Sequence, residues 1–201
     1  MLQEIGIALR ATVVSIVLLG FIYPFAMTGL AQIAFPHQAN GDFVTVNGKI
    51  VGSDIIGQSW TESKYFHGRP SAAGRNGYDP TSTSGTNLGP TSKKLIGLTK
   101  AIIAALGREN PHARGPIPID LVTTSASGID PDISPAGAYY QAPRIADARG
   151  MTAAAVDAII ARNIRRRTWG ILGEPRVNVL ELNLALDAAA PVSAVRARRH
   201  R

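Results

Sequence analysis

Ser125-Ala126-Ser127-Gly128 holds the residues of this chain that come nearest to nucleophilic chemistry. A serine nucleophile needs a histidine base and an oxyanion site, and many hydrolases present it on a G-x-S-x-G turn. The chain has no G-x-S-x-G sequence, and none of its four histidines stands in an obvious position to act as the base. A turn that follows an apolar segment therefore explains this stretch better than a catalytic site.

Phosphate binding is the next chemistry that the residue types suggest. Residues 85–94, GTNLGPTSKK, superficially resemble a phosphate-binding loop. Their spacing departs from G-x-x-x-x-G-K-[ST], and Pro90 stands where such a loop needs an amide donor. We therefore reject a nucleotide-binding loop of this type.

Candidate metal ligands are scattered along the chain. The histidines have no second ligand three or four residues away, which argues against a metal site. These histidines are His37, His67, His112 and His200. Asp120, Asp130 and Asp132 are near enough in sequence to hold a cation, but turn formation and helix capping explain aspartates here more simply. The sequence predicts neither catalytic residues nor metal ligands.

The net charge of +7 comes from two short clusters. Arg165 to Arg167 form one, and four arginines between residues 196 and 201 form the other. Without these seven arginines, basic and acidic residues balance at 14 each. A helix end and a terminal tail explain the clusters, with acidic lipid headgroups as a second reading for the tail. Nucleic-acid binding is not predicted, and the absence of cysteine excludes disulfides.

An apolar segment near the N-terminus is the predicted membrane anchor of the chain. Ala11 to Phe35 is a run of 25 uncharged residues near the N-terminus. As a helix it reaches about 38 Å, enough to cross a hydrocarbon core of about 30 Å. Tyr23-Pro24 interrupts its middle, and a proline there removes one backbone hydrogen bond. We predict that residues 1–35 contain one transmembrane helix.

This helix is predicted to stay in the mature protein. Signal peptides have a shorter apolar region and a small-residue cleavage site, which this segment lacks. Small residues such as Gly20 and Gly29 favour close packing against a partner helix in lipid. The charge of Arg10 on the N-terminal flank leans toward a cytoplasmic N-terminus.

Residues 36–187 are predicted to form one soluble α+β domain, with residues 188–201 as a basic, disordered tail. Asn47-Gly48 between two apolar runs predicts a β-hairpin that opens the domain. The glycine-, serine- and proline-rich stretch from Tyr65 to Pro90 predicts a long ordered loop or a contact surface.

Three helices and two strands complete the prediction. The first helix carries Leu95, Leu98, Ile102 and Leu106 on one face, begins at Thr91 or Ser92 and ends at Gly107. The second begins at Ser134-Pro135 and runs to about Ala148, before Gly150. The third begins at Thr152 with a stripe of Val156, Ile159, Ile160 and Ile164. Ile117–Thr124 and Val177–Leu182 read as strands, so we expect helices packed on a small sheet.

Five sequence blocks, in order, are distinctive. They are YFHGRPSA from Tyr65, SGTNLGP from Ser84, IPIDLVTTSASGIDPDISP from Ile117, QAPRIADARG from Gln141 and LGEPRVNVLELNLALD from Leu172. With the N-terminal span and its Tyr23-Pro24, they closely resemble the C subunit of the bacterial Kdp potassium-transporting P-type ATPase, the KdpC family. The resemblance extends to Asp187.

The resemblance implies a non-catalytic subunit of an inner-membrane complex that takes up potassium. It implies a channel-like potassium-binding subunit, an ATP-hydrolysing P-type subunit and a small single-span subunit as partners, besides membrane lipid. It also implies a single-pass chain with a cytoplasmic N-terminus and an extracytoplasmic domain.

A role as a catalytic chaperone, which raises the ATP affinity of the hydrolysing subunit, is implied as well. ATP is then bound through the complex, and the family-implied nucleotide contacts match Ser125, Ser127, Gly128 and Gln141. Our preferred hypothesis is that the loops dock on the channel-like subunit and that the span packs against its helices. The candidate partner-binding residues are Tyr23, Pro24, Gly68, Arg69, Pro70, Ser84, Gly85, Asn87, Leu88 and Gly89.

Two other classes of function compete with this reading. An independent membrane-anchored hydrolase of the cell envelope would need a nucleophile, a base and an oxyanion site that converge in space. A membrane-tethered nucleic-acid binder would need strongly salt-dependent binding to DNA, and only the two arginine clusters favour it.

Overall fold

The computed structural model describes residues 2–190 and divides the chain into two units, one ending at Val51 and one beginning at Gly52. The first unit begins with helix α1 (Leu2–Ser15), a π-helical stretch (Ile16–Ile22) and helix α2 (Tyr23–Ala34). Together they form a 32-residue apolar helix, Gln3–Ala34, with no part of its most apolar window buried. By length and composition, it is the one helix of the described chain that can cross a membrane.

The π-helical stretch ends directly before the predicted interruption at Tyr23-Pro24. The N–H of Tyr23 donates to the carbonyl of Leu18, five residues back. Pro24 has no N–H to donate, and a π-helical turn is a common way for a helix to absorb such a break in its ladder. The proline is therefore accommodated without ending the helix.

A short helix and the predicted hairpin complete the first unit. Helix α3 (Pro36–Ala39) precedes strands β1 (Phe43–Val46) and β2 (Lys49–Ser53), which form a two-stranded sheet. Asn47 and Gly48 have φ values of 51° and 76°, as a type I′ turn requires at both central positions. The hairpin prediction is confirmed.

The second unit is built on a three-stranded antiparallel sheet in the order β3-β5-β4. The strands are β3 (Asp132–Ile133), β4 (Ile164–Arg165) and the central β5 (Arg176–Asn178). Helices α5 (Pro135–Arg149), α6 (Ala153–Arg162) and α7 (Val179–Ala189) pack in sequence order around it. The core between them includes Ile133, Ile145, Val156, Ile160, Val177, Leu182 and Leu186. The predicted α+β class is confirmed.

The helix starts agree with the predicted caps. Ser134 and Thr152 accept hydrogen bonds from the N–H groups of Gly137 and Ala155, and Gly150 ends α5 in the left-handed conformation. Helix α4 (Lys93–Glu109) has Ser92 as its N-cap but continues past Gly107, and its C-cap is Asn110. Ile164, predicted on the stripe of α6, lies instead in β4.

Both predicted strands of the second unit need correction. Ile117–Thr124 contains a 3-10 turn, Ile119–Leu121, because Pro116 and Pro118 cannot donate to a strand ladder. Val177–Leu182 is a strand only as far as Asn178. The side chain of Asn178 accepts a hydrogen bond from the N–H of Glu181 and thereby starts helix α7.

The stretch from Tyr65 to Pro90 has no helix or strand but is ordered, as predicted, with Phe66 and Ala73 fully buried. Helix α7 extends through Ala188 and Ala189, the first residues of the predicted basic tail. The remainder of that tail, from residue 191, lies outside the described residues.

Candidate functional site

A segment outside the helices and strands, Tyr65–His67, places Phe66 in the core and is held by side-chain amides from two helices. Asn183 on α7 accepts from the N–H of Phe66 (2.8 Å) and donates to its carbonyl (3.0 Å). Gln141 on α5 does the same for His67, with distances of 2.9 and 3.0 Å. Each amide supplies the donor and the acceptor that a neighbouring strand would supply.

Two buried arginines extend this arrangement. Arg144 donates from Nη1 to the carbonyl of Tyr65 (3.0 Å) and from Nη2 to Gln141 Oε1 (2.7 Å). Arg149 donates to the carbonyl of Lys64 (2.7 Å) and to the carboxylate of Asp187 (2.8 Å). Burial lowers the pKa of Arg144 to about 10, which leaves it charged at neutral pH.

Gln141, predicted as a nucleotide contact, is therefore almost wholly buried, and its side chain is fully used inside the domain. Its Oε1 accepts from His67 and Arg144, and its Nε2 donates to His67 and to the carbonyl of Gly137. Sequence reasoning missed Asn183, Arg144 and Arg149 as its companions. Asn183 is a polar residue inside the apolar pattern of α7, whereas Arg149 lies in the last turn of α5, where a cation is ordinary and gives no signal.

The predicted serine turn is a hydrogen-bonded turn in the structure. Ser125 Oγ accepts from the N–H of Gly128 (2.9 Å), and Ser127 Oγ accepts from the N–H of Ile129 (3.2 Å). The two hydroxyl oxygens lie 3.5 Å apart. Both hydroxyls thus accept backbone N–H groups within their own turn, which is turn-forming chemistry rather than the activation of a nucleophile.

Two of the predicted partner-binding loops close onto this turn. Ser71 Oγ donates to the carbonyl of Gly128, and the N–H of Ser84 donates to the carbonyl of Ser127 (2.9 Å). A Cβ on Gly85 would lie 3.0 Å from the carbonyl oxygen of Ala126. We call residues 68–72, 84–90 and 125–128 the converging loops, because the structure brings these three separate blocks together.

Arg69 secures the first of these loops. Its Nη1 contacts Asp130 Oδ2 at 2.8 Å, and its Nη2 donates to the carbonyl of Thr124 (3.3 Å). The Tyr78 hydroxyl donates to the Arg69 carbonyl (2.6 Å), and burial raises the pKa of Tyr78 to about 12. Asp130, considered above as a cation ligand, is thus paired with a guanidinium.

Two clefts flank helix α4 beside the converging loops. The first, the α4 cleft, has a volume of about 380 Å³ and is largely apolar. Its walls include Pro70, Leu88, Leu95, Leu98, Ile102 and Val122. The second, the His67 cleft, has a volume of about 290 Å³ and includes Trp60, His67, Gly68, Arg69, Tyr78 and Glu109.

His67 links the second cleft to helix α4. Its Nδ1 lies 3.6 Å from Glu109 Oε2, and its Nε2 lies 3.2 Å from the carbonyl of Glu62. Burial and the nearby charge of Arg144 lower the pKa of His67, although Glu62 and Glu109 act in the opposite direction. The neutral imidazole is therefore favoured in the folded protein.

The remaining predicted residues do not line either cleft. Asn87 adopts a positive φ of 49°, and Gly89 borders open space. Tyr23 and Pro24 belong to the apolar helix of the first unit. Among residues 2–190, no three histidine, aspartate or glutamate side chains are grouped to hold a metal ion. The α4 cleft beside the converging loops thus offers a largely apolar surface.

Comparison with known proteins adds independent evidence. The sequence model of the KdpC family, described as "K+-transporting ATPase, c chain", matches residues 5–188. A potassium-transporting ATPase KdpC subunit from Myxococcus xanthus is 56% identical over 181 residues, which cover 90% of this chain and 85% of that protein.

Two further relatives carry the same description. The potassium-transporting ATPase KdpC subunit of Koribacter versatilis is 53% identical over 182 residues, 90% of this chain and 92% of its own length. That of Caulobacter vibrioides is 52% identical over 192 residues, 95% of this chain and 96% of its own length. The similarity therefore includes the apolar helix, the converging loops and helix α7.

Proposed function

Because this chain belongs to the KdpC family, the c chain of a K+-transporting ATPase, we propose that it is a non-catalytic accessory subunit of a high-affinity potassium uptake complex. Its partners in this proposal are a channel-like potassium-binding subunit, an ATP-hydrolysing P-type subunit and a small single-span subunit. Potassium is the cargo of the complex, and the chain itself supports assembly at the bacterial inner membrane.

The observation that carries the proposal is the convergence of three sequence blocks beside helix α4. The loops at 68–72, 84–90 and 125–128 are joined by hydrogen bonds such as Ser71 to Gly128 and Ser84 to Ser127. Helix α4 next to them has no fully buried residue. Hydrogen-bonded loops beside an open, largely apolar cleft form the kind of exposed apolar surface that marks a protein–protein contact.

Leu98 offers a direct test of docking. It is exposed on α4 and lines the α4 cleft, so a glutamate there introduces a charge into the proposed interface. We expect Leu98→Glu to lower recovery of the channel-like subunit at least about tenfold, because a carboxylate buried without a partner costs several kcal/mol and about 1.4 kcal/mol is already a tenfold change in affinity. The measurement is co-purification of the tagged full chain in mild detergent.

Ile96 provides a matched control on the same helix. It is as exposed as Leu98 but does not line the α4 cleft. Ile96→Glu should leave co-purification close to that of the unaltered chain. Equal recovery of the complex with both variants would contradict docking through the α4 cleft.

The apolar helix is the second proposed contact. Its π-helical stretch before Pro24 and its small residues suit close packing against a neighbouring span. In our proposal residues 1–35 anchor the chain, residues 36–187 form the extracytoplasmic domain and the N-terminus lies in the cytoplasm.

We propose that docking of this chain on its partner subunits is what raises the ATP affinity of the hydrolysing subunit. Ser125 and Gln141 use their polar atoms on the domain's own backbone and on Arg144, which supports a structural role for both. An extracytoplasmic domain is also separated from cytosolic ATP. Direct contact of ATP with Ser125, Ser127, Gly128 and Gln141 is the alternative.

The KM for ATP of the assembled complex separates these two routes. Ser127→Ala removes a hydroxyl that accepts a hydrogen bond only from its own turn, so we expect an unchanged KM. Leu98→Glu should raise the KM in whatever complex still assembles. A raised KM with Ser127→Ala and an unchanged KM with Leu98→Glu would favour direct contact and overturn the docking route.

A further inference from the structure

A turn between strands β4 and β5 presents large apolar side chains to solvent. Trp169 is 85% exposed, the highest value among the large apolar residues of the described chain, and Ile171 is 73% exposed. Leu172 is half exposed beside them. We call residues 168–172 the Trp169 turn.

The base of the Trp169 turn is tied on both sides. Thr168 and Leu172 exchange two backbone hydrogen bonds, of 2.9 and 3.0 Å. Just outside them, Arg167 Nη2 lies 2.7 Å from both carboxylate oxygens of Glu174. The apolar side chains are therefore held outward by a closed turn rather than by a loose loop.

Trp169 also adopts an unfavourable backbone conformation. Its φ is +53°, a value that bulky residues rarely adopt outside special turns. An exposed tryptophan in this conformation gains no burial within the domain that would offset the strain. Strained, exposed apolar residues of this kind mark binding surfaces.

The charges around the Trp169 turn indicate which kind of surface it can bind. Arginines outnumber the single glutamate between residues 162 and 176. Arg165 is paired with Asp54 and Glu181, and Arg167 with Glu174, whereas Arg166 is exposed beside the turn. An apolar tip with a cation beside it matches the layered chemistry of a bilayer surface, with anionic headgroups above acyl chains.

We infer that the Trp169 turn inserts into the headgroup and upper acyl region of an anionic bilayer. Tryptophan favours this interfacial depth because its ring is apolar and its indole N–H remains polar. A protruding tip needs no preformed pocket in a fluid surface. The same chain carries the apolar helix Gln3–Ala34, so a bilayer that holds this helix also tethers the unit that carries the turn.

Tryptophan fluorescence tests this inference directly, because the chain has only Trp60 and Trp169. The full chain carrying Trp60→Phe is reconstituted into nanodiscs that contain an anionic phospholipid. We expect Trp169 to emit at a shorter wavelength than free tryptophan in aqueous buffer. We also expect strong quenching by lipids brominated near the headgroup and weak quenching by aqueous iodide.

Trp169→Phe is the matched control. The difference between the unaltered chain and Trp169→Phe reports on the same indole without any change at Trp60, which packs against Tyr65 with ring centroids 4.8 Å apart. Arg166→Gln should reduce the difference in bromolipid quenching between anionic and zwitterionic nanodiscs.

Two results would overturn the inference. One is water-like Trp169 emission with iodide quenching and no bromolipid quenching in the nanodiscs. The other is shielding of Trp169 only when partner subunits are added, which would assign the turn to a protein contact. Neither result bears on docking through Leu98, which is measured separately by co-purification.

Discussion

The amide side chains of Gln141 and Asn183 complete the backbone hydrogen bonding of a segment that no strand accompanies. Both are nearly or fully buried, and both bond to the N–H and the carbonyl of one residue in Tyr65–His67. Removal of either amide would leave a buried donor and acceptor unsatisfied, at a cost of about 1–3 kcal/mol for each group. Substitution of Gln141 is therefore expected to lower the activity of the assembled complex by destabilising this domain, even without any nucleotide contact.

His67 should give the domain a pH-dependent stability. Its pKa in the folded protein lies below 6.5, so the unfolded chain takes up a proton at higher pH than the folded chain. The stability that neutral His67 contributes is fully present above the pKa of this histidine in the unfolded chain. It is lost as the pH falls through the pKa in the folded chain. We expect the melting temperature to fall between about pH 7.5 and about pH 5.5, and His67→Gln to reduce that fall.

The exposed His112 supplies the control for this measurement. His112→Gln should keep the pH dependence of the unaltered chain. Identical slopes for His67→Gln and the unaltered chain would show that His67 does not cause the effect.

Gly128 should tolerate no side chain. Its φ is +73°, and a Cβ would lie 2.6 Å from the Ser84 carbonyl oxygen and 2.7 Å from the Ala73 nitrogen. We expect Gly128→Ala to lower the free energy of unfolding by about 3 kcal/mol or more, measured by denaturant titration of the full chain in detergent. Gly107→Ala, in open space on helix α4, should instead raise it by about 0.5–1 kcal/mol.

Asn178 decides where the central strand ends and helix α7 begins. Four of the six residues from Val177 to Leu182 are apolar, so composition alone is consistent with one longer strand. The Asn178 side chain accepts from the N–H of Glu181 at 3.1 Å and donates to the carbonyl of Asp54 at 2.8 Å. It therefore caps the helix and also holds a neighbouring loop.

Removal of the Asn178 side chain should lower the free energy of unfolding by more than removal of an ordinary helix cap does. We expect Asn178→Ala to cost about 2–4 kcal/mol, the sum of a cap and an unsatisfied buried carbonyl. Ser92→Ala, which removes the longer 3.4 Å cap of helix α4, should cost about 1 kcal/mol or less. Equal costs in denaturant titrations would refute the second role of Asn178.

The whole chain is suited to a topology measurement because it contains no cysteine. Thr83 is exposed on the loop before α4, and Gln3 is exposed at the start of the apolar helix. With an extracytoplasmic domain, a membrane-impermeant maleimide should label Thr83→Cys in intact spheroplasts and Gln3→Cys only after lysis. Labelling of Gln3→Cys in intact spheroplasts, with Thr83→Cys protected, would reverse the proposed orientation.

Local signals in the sequence determined the apolar helix, the hairpin at Asn47-Gly48 and the starts of helices α5 and α6. Each depends on residues adjacent in the chain, such as the cap Ser134 and its acceptor role toward Gly137. The family resemblance likewise followed from blocks of neighbouring residues. These features needed no knowledge of distant contacts.

Only the tertiary structure decided the short strands and the roles of the buried polar residues. Strands β3 and β4 have two residues each and exist because they pair with β5 from either side. Gln141, Arg144 and Asn183 have structural roles because folding places the Tyr65–His67 backbone beside them. No strand pairs with that backbone, so the side chains supply its hydrogen-bond partners. Neither pairing across the chain nor burial of a polar side chain has a local signature, since both depend on which distant residues meet in the core.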